Sequence, residues 1–181
     1  RHYPDEMAGT PPQCTGINPE QSHQVALHFC GTDLETLGGL LTEKLESGGC
    51  AAVICNTVNR AIEVFSYLRE NLKDTECLLF HARTLKRQRR EREEEVLKKF
   101  GKGKKQPDGN CVNEHRPRRA VLVATQIIEQ SLDLDFDFMV SEIAPIDLLL
   151  QRTGRLHRHA RMRPAGLENP ELAVLCDGDR E

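Results

Sequence analysis

Short apolar runs alternate with segments of helical periodicity along most of this chain. The runs AAVICNT (51–57) and AVLVAT (120–125) are almost continuously apolar, as expected for strands buried on both faces of a sheet. Between such runs, residues 59–71 carry apolar side chains at helical spacing. Strands that alternate with helices predict right-handed β-α-β crossovers. The predicted fold class is therefore α/β, a three-layer α/β/α domain with a mostly parallel sheet.

The same alternation predicts the remaining elements. Strands are expected at 25–30, 51–57, 77–82, 120–125, 137–143 and 172–176. Helices are expected at 33–47, 59–71, 84–100, 127–132 and 146–159. Residues 1–22 lack periodicity and are predicted to be a linker or disordered end, which leaves 23–181 as the domain. The patternless stretch 101–119 is predicted to be a mobile basic loop. Because the chain opens with Arg1, we expect it to be a piece of a longer protein.

Composition narrows the classes of function. Residues 81–119 hold 14 Lys and Arg against 6 Asp and Glu, although the whole chain has a net charge of -3. This basic segment could contact a polyanion, but charge alone favours the alternative, a solvated helix face followed by a basic loop. Aromatic residues are only 4% and Trp is absent, which argues against a platform for stacking bases. No apolar run is long enough for a transmembrane helix. The cysteines contain no C-x-x-C pair, and this pattern favours a reducing, cytoplasmic compartment.

An arginine-rich motif, QRTGRLHRH, occupies residues 151–159. Arg155 and Arg158 are three residues apart, so on the predicted helix they share one face. Two adjacent guanidinium groups repel each other unless an anion lies between them, and a phosphate matches their planar, bidentate geometry. Gly154 would allow close backbone approach. The alternative is a solvated helix end, and His157 and His159 would lie on different sides of the helix, which disfavours a metal site.

Polar side chains follow several predicted strands. Ligands of parallel α/β sheets bind at the carboxyl ends of the strands, which directs attention to Asn56, Thr57, Arg83, Thr125 and Gln126. Farther along lies a D-x-D-x-D pattern without the glycine and distal glutamate of a calcium loop. We expect one of its aspartates to hold a sugar hydroxyl and the others to cap a helix or to be solvated. Its members are Asp133, Asp135 and Asp137.

The two most informative motifs together resemble motifs V and VI of superfamily 2 helicases. They are VATQIIEQSLDLDFD (123–137) and QRTGRLHRH (151–159). The closest resemblance is to the helicase–nuclease of type I CRISPR interference, the Cas-three family. Further similarity to its motif IV and to the block that follows lies at VICNTVNRA (53–61), LLFHAR (78–83) and EVLKKFG (95–101).

This resemblance implies a nucleotide site and a DNA track. Arg155 and Arg158 would be catalytic arginine fingers, Gln151 would sense the γ-phosphate, Asp133 would contact the ribose, and Gly154 would lie at the ATP. The single-stranded DNA track would be lined by Asn56, Thr57, Arg83, Thr125 and Gln126. The chain contains no G-x-x-x-x-G-K-[ST] phosphate loop, no D-E-A-H-like box and no His-Asp nuclease cluster. It therefore resembles the second RecA-like lobe alone, and Mg²⁺ would be held mainly by the missing first lobe.

The resemblance also implies partners and an activity. The lobe would work with a first RecA-like lobe and a nuclease domain, on single-stranded DNA, together with a CRISPR RNA-guided surveillance complex. It would form half of an ATP-dependent 3′–5′ translocase for antiviral defence and would be inactive alone. Another superfamily 2 motor acting on DNA or RNA is an alternative. A protein-binding module is a third, and it predicts that neutral replacement of Arg155 leaves full-length activity intact.

Overall fold

The computed structural model describes residues 24–81, 83, 86–126 and 132–177. The strands are β1 Ala26–Cys30, β2 Gly49–Ile54, β3 Glu76–Phe80, β4 Lys104–Lys105, β5 Cys111–Val112, β6 Arg119–Ala124, β7 Phe138–Glu142 and β8 Glu171–Leu175. The helices are α1 Leu34–Lys44, α2 Val58–Asn71, α3 Lys86–Phe100 and α4 Ile146–Thr153. The linker predicted at 1–22 lies outside the described residues, and so does nearly all of the helix predicted at 127–132.

The main sheet has six strands in the order β1-β8-β7-β2-β6-β3, and all its pairings are parallel. Ala52 and Ile54 of β2 pack in the core on the side of α3 and α4. The intervening Ala51 and Val53 pack with α1 and α2 on the other side. Buried apolar residues on both faces of β2 thus confirm the predicted α/β/α layers and parallel sheet. The longest helix in the described ranges has 15 residues and is rich in charge, so none of these helices could cross a bilayer.

Capping side chains begin the two helices that follow β1 and β2. Asp33 Oδ1 accepts a hydrogen bond from Thr36 N at 2.7 Å at the start of α1. Thr57 Oγ1 accepts from Arg60 N at 3.2 Å at the start of α2. Thr57 was predicted as the last strand residue, but β2 ends at Ile54 and Thr57 is a helix cap. Because each cap follows a strand closely, these side chains lie at the carboxyl edge of the sheet.

Residues 101–119 contain a small hairpin that the sequence did not predict. Strands β4 and β5 pair antiparallel, and Cys111 N donates to Ala160 O at 2.7 Å. Asn113 Nδ2 donates to the Lys98 carbonyl at 3.0 Å, at the end of α3. Gly103 has a φ of 75°, and a Cβ there would lie 2.3 Å from Val112 O. Sequence patterns do not reveal this hairpin, because two-residue strands have no periodicity and are held by distant partners. The mobility of the segment stays a prediction.

Helix α4 ends at Thr153, six residues before the predicted end at His159. The chain then pairs with the segment before β7. Phe136 N donates to Arg155 O at 2.9 Å, and His157 N donates to Phe136 O at 3.0 Å. These bonds use backbone groups that a longer helix would need for itself, and His157 has a φ of 46°. The prediction that Arg155 and Arg158 share one helix face was therefore wrong.

Candidate functional site

The residues predicted to line a DNA track meet at the carboxyl edge of the sheet. Asn56 and Thr57 follow β2, Thr125 and Gln126 follow β6, and Arg83 follows β3. These three strands are neighbours in the order β2-β6-β3. Residues from three separate parts of the chain thus form one row.

Several members of this row have structural contacts of their own. Asn56 N donates to Glu142 Oε2 at 2.5 Å, and Asn56 Nδ2 donates to Ile143 O at 2.9 Å, which ties the ends of β2 and β7 together. Thr125 is buried, and its backbone N donates to Phe80 O at 3.2 Å. Gln126 is exposed, and so is Arg83, whose Nη1 lies 3.4 Å from Asn59 Oδ1. Asn56 and Thr57 are exposed as well, but the Asn56 amide and the Thr57 hydroxyl already have backbone partners, which leaves Arg83 and Gln126 best placed to contact a ligand from solvent.

Arg60 is a residue of this edge that sequence reasoning missed. Its Nε lies 3.6 Å from Glu142 Oε1, and its Nη1 donates to Glu63 at 2.8 Å. Its Nη2 also donates to Thr32 O, at the end of β1. One arginine of α2 therefore joins the ends of β1 and β7 and offsets the acidic charge there.

A second group of predicted residues surrounds a cavity of about 420 Å³ near the end of α4. Gly154 and Arg158 line it, as do residues that sequence reasoning did not select: Val25, Leu150, Thr153, Leu156 and His159. Gln151 has an exposed side chain on α4 and is not among the described residues that line the cavity. A lining that combines apolar side chains with a guanidinium suits a ligand with an apolar and an anionic part.

Asp133 holds Arg158 beside this cavity. Arg158 Nε lies 2.6 Å from Asp133 Oδ1, and His159 Nε2 lies 3.1 Å from the same oxygen. Burial would raise the pKa of Asp133, but the hydrogen bond from Arg158 and the charges of His159 and Arg158 outweigh it and lower that pKa. Burial lowers the pKa of His159. Asp133, which is predicted to contact the ribose, and Arg158, which is predicted to be an arginine finger, are thus in direct contact.

Arg155 is partly buried close to Arg158. Burial lowers the pKa of its guanidinium, and the positive charge of Arg158 lowers it further. Arg155 O accepts from Phe136 N, so the residue is fixed by the turn after α4. The Asp133 carboxylate offsets part of this positive charge, and the bidentate geometry of guanidinium suits a phosphate as a further anion. Arg155 and Arg158 thus lie in the turn after α4 rather than on one helix face, and their joint role as arginine fingers stays a prediction.

The three alternating aspartates form what we call the aspartate ladder: Asp133, Asp135 and Asp137. The expectation that two of them cap a helix or are solvated was wrong, since Asp135 is 0% and Asp137 2% exposed. Asp135 lies 2.5 Å from Arg161 Nε and 2.9 Å from Arg163 Nη2. Asp137 lies 2.6 Å from Arg163 Nη1 and 2.9 Å from Arg116 Nη2. Three arginines thus neutralise the two buried carboxylates.

Asp137 also fixes the start of β2. Cys50 N donates to Asp137 Oδ2 at 2.7 Å. Burial would raise the pKa of Asp137, but attraction to Arg116 and hydrogen bonds from Arg163 and Arg116 lower it. Burial raises the pKa of the Cys50 thiol to about 12, as expected for a neutral core thiol. Within the described ranges no three His, Cys, Asp or Glu side chains are arranged to hold a metal ion.

Comparison with known proteins identifies the family. Residues 47–161 match the family described as CRISPR-associated nuclease/helicase Cas3, C-terminal. The Cas3 endonuclease/helicase of Escherichia coli is 43% identical over 136 residues, which cover 74% of this chain and 14% of that protein. The Cas3 of Thermus thermophilus is 51% identical over 100 residues, which cover 55% of this chain and 10% of that one. The chain thus spans about a seventh or less of these two relatives.

Solved structures with a similar fold include Cas3 proteins and a DEAD-box protein. The chain superposes on T. fusca Cas3 with ATP at a TM-score of 0.77 and 35% identity, over 91% of this chain and 19% of that one. The C-terminal domain of the DEAD-box protein Dbp5 shares the fold, with a TM-score of 0.57 and 15% identity over 86% of this chain and 77% of that domain. These similarities confirm the predicted RecA-like α/β/α fold. The chain belongs to the Cas3 family of CRISPR-associated nuclease/helicases and corresponds to its C-terminal helicase domain.

Proposed function

We propose that this domain is the second motor lobe of an ATP-dependent translocase that moves 3′ to 5′ on single-stranded DNA in type I CRISPR interference. The observation that carries this proposal is the arginine pair: Arg158 lines a cavity with Gly154 and Asp133 beside it, and Arg155 lies close by. Related Cas3 structures contain AMPPNP, ADP or ATP, and another is a CRISPR RNA-guided surveillance complex. The free thiols of the described cysteines suit action in the cytoplasm.

In this proposal, Arg155 and Arg158 stabilise the charge that develops on the transferring phosphoryl group. Both contacts of Asp133 described above involve Oδ1, so Oδ2 is the oxygen that would accept a ribose hydroxyl. Gln151 would reach the γ-phosphate from the last turn of α4. Asp135 and Asp137 are neutralised by arginines, so Mg²⁺ would be held mainly by the first lobe.

The DNA track would run along the carboxyl edge of the sheet. Arg83 and Gln126 would contact backbone phosphates directly through their exposed side-chain N–H donors. Asn56, Thr57 and Thr125 would shape the edge and offer backbone or hydroxyl groups. Such contacts read no base sequence, which suits a motor that must move along any strand.

The isolated chain is expected to show no appreciable ATP hydrolysis. It has no phosphate loop to hold the β- and γ-phosphates, so an arginine pair alone cannot complete the site. Phosphate release from purified chain with saturating single-stranded DNA measures this. Turnover at a motor-like rate that is lost in Arg155→Ala would contradict the half-site proposal.

Binding of the isolated chain to single-stranded DNA is expected to be weak, independent of base sequence and strongly dependent on salt. Each phosphate contact releases counterions, so log K should fall with log salt by about 0.7 per contact on a single strand. Arg83→Gln should weaken binding and reduce this slope by about 0.7. Fluorescence anisotropy with a labelled oligonucleotide at several salt concentrations gives both quantities.

Arg69→Gln is the matched control for Arg83→Gln. It removes the same charge from the exposed last turn of α2, which leads to the opposite edge of the sheet. Lys104→Gln with Lys105→Gln tests the basic hairpin without deleting it, since deletion would remove the buried Cys111. Equal slopes for the Arg83 and Arg69 variants, or a preference for one base sequence, would exclude the proposed track.

A further inference from the structure

Arg163 follows the loop that contains Arg155 and Arg158, and its side chain connects that loop to the aspartate ladder. We call residues 154–159 the finger loop. Arg163 Nη2 donates to His159 O at 2.7 Å, at the end of this loop. The same Nη2 lies 2.9 Å from Asp135 Oδ1, and Nη1 lies 2.6 Å from Asp137 Oδ1. One guanidinium therefore joins the loop backbone to two buried carboxylates.

His159 is held from two further directions. His159 N donates to Asp135 Oδ1 at 3.4 Å, the oxygen that Arg163 also binds. Its Nε2 lies 3.1 Å from Asp133 Oδ1, which in turn receives Arg158 Nε at 2.6 Å. The contacts form a continuous path from Arg163 through Asp135 and His159 to Asp133 and Arg158.

The two ends of this path differ in burial. The side chain of Arg163 is 6% exposed and that of Asp135 is 0% exposed, whereas those of Arg158 and Asp133 are 41% and 48% exposed. An ion pair as exposed as Arg158–Asp133 is too weak to hold a long side chain in one geometry by itself. The buried end, with several hydrogen bonds per side chain, is the rigid part.

We propose that Arg163, acting through Asp135 and His159, is a positioning residue that sets where the Arg158 guanidinium lies in the nucleotide site. This inference rests on the proposed function of Arg158 as a finger. A finger acts only when its donors are aligned with the transition state, and a displacement of 1 Å can cost about 100-fold in rate. Arg163 is thus expected to affect kcat although it lies behind the loop.

Arg116 provides the matched comparison. It also binds the ladder, with Nη2 2.9 Å from Asp137 Oδ2 and Nη1 donating to Asp135 O at 2.8 Å. Its side chain is also largely buried, at 12% exposure. However, Arg116 follows the β4–β5 hairpin in the chain. Within the described residues its side chain donates hydrogen bonds to Asp135 and Asp137 and none to the finger loop. Loss of Arg116 should therefore destabilise the fold without displacing Arg158.

The test compares Arg163→Gln, Arg163→Lys and Arg116→Gln in the full-length protein that contains this lobe. DNA-stimulated ATP hydrolysis gives kcat and KM, and thermal unfolding gives the folded fraction at the assay temperature. Arg163→Gln is expected to lower kcat by about 100-fold with little change in the KM for ATP, since the finger acts in the transition state. Arg163→Lys keeps the charge but cannot bind two carboxylates and a carbonyl in the same geometry, so we expect about a tenfold loss. Arg116→Gln should lower Tm comparably but keep kcat.

Three outcomes decide between the positioning role and a purely structural one. If Arg163→Lys is folded and retains full kcat, the positioning role is overturned, even where Arg163→Gln fails to fold. If Arg163→Gln and Arg116→Gln lose activity only in proportion to their folded fractions, it is also overturned. Arg155→Ala is measured in parallel to test the proposed function itself. If Arg155→Ala keeps full activity, the proposed function fails. If Arg155→Ala is inactive while Arg163→Lys keeps full activity, only the positioning role is overturned.

Discussion

Replacement of Arg155 or Arg158 by alanine in the full-length protein is expected to abolish nearly all DNA-stimulated ATP hydrolysis. Arginine fingers contribute about 10³–10⁵ in rate, because they neutralise charge that appears only in the transition state. The fold should survive, since Arg155 lies in a turn and Arg158 forms an exposed ion pair worth about 1 kcal/mol or less. Steady-state phosphate release and strand unwinding should fall together.

Lysine at either position separates charge from geometry. Lysine retains the positive charge but lacks the planar fork that binds two phosphate oxygens, so we expect poor rescue. Arg69→Ala, on the exposed end of α2, controls for the loss of an arginine as such and should leave turnover unchanged. Near-normal turnover of Arg155→Lys would show that Arg155 is not a finger, and full activity of Arg155→Ala would favour a protein-binding module.

Replacement of Asp137 by alanine is expected to destabilise this domain by about 3–5 kcal/mol. The change would leave Arg116 and Arg163 buried with less counter-charge and would remove the acceptor of Cys50 N. Urea denaturation of the isolated chain, followed by circular dichroism, measures the free energy of unfolding. Asp133→Ala is the matched control from the same ladder, and its exposed ion pair predicts a loss of about 1 kcal/mol or less. Equal losses in the two variants would contradict the role of the buried network.

The same carboxylate makes the stability depend on pH in a defined direction. Folding lowers the pKa of Asp137, because its arginine partners outweigh the effect of burial. Its contribution is therefore fully present above the ordinary carboxylate range and is lost as the pH falls through the lower, folded-state pKa. The difference in unfolding free energy between the unmodified chain and Asp137→Ala should shrink at acidic pH. A difference that grows on acidification would contradict this assignment.

Local sequence was sufficient to predict the sheet and most of its helices. Strands β2 and β6 are recognisable because both their faces are buried, so their apolar residues are consecutive. The start of α1 is recognisable because Asp33 caps a backbone amide only three residues away. The row of polar residues at the carboxyl edge follows from parallel strands alone. Each of these features depends on residues that are close in sequence or on a general rule of the fold.

Tertiary structure alone decided the arrangement around Arg158. The sequence shows D-x-D-x-D and R-H-A-R-M-R, but it does not show that Asp135 meets Arg163, 28 residues later, and that Arg116 lies against Asp137. It also does not show that Phe136 N donates a hydrogen bond to Arg155 O, a backbone group that the predicted longer helix would need. Helical periodicity reports only on neighbours three or four residues apart, and it cannot account for a backbone partner from another segment. The finger loop therefore follows from a pairing between segments about 20 residues apart, which becomes possible only once the parallel sheet has brought them together.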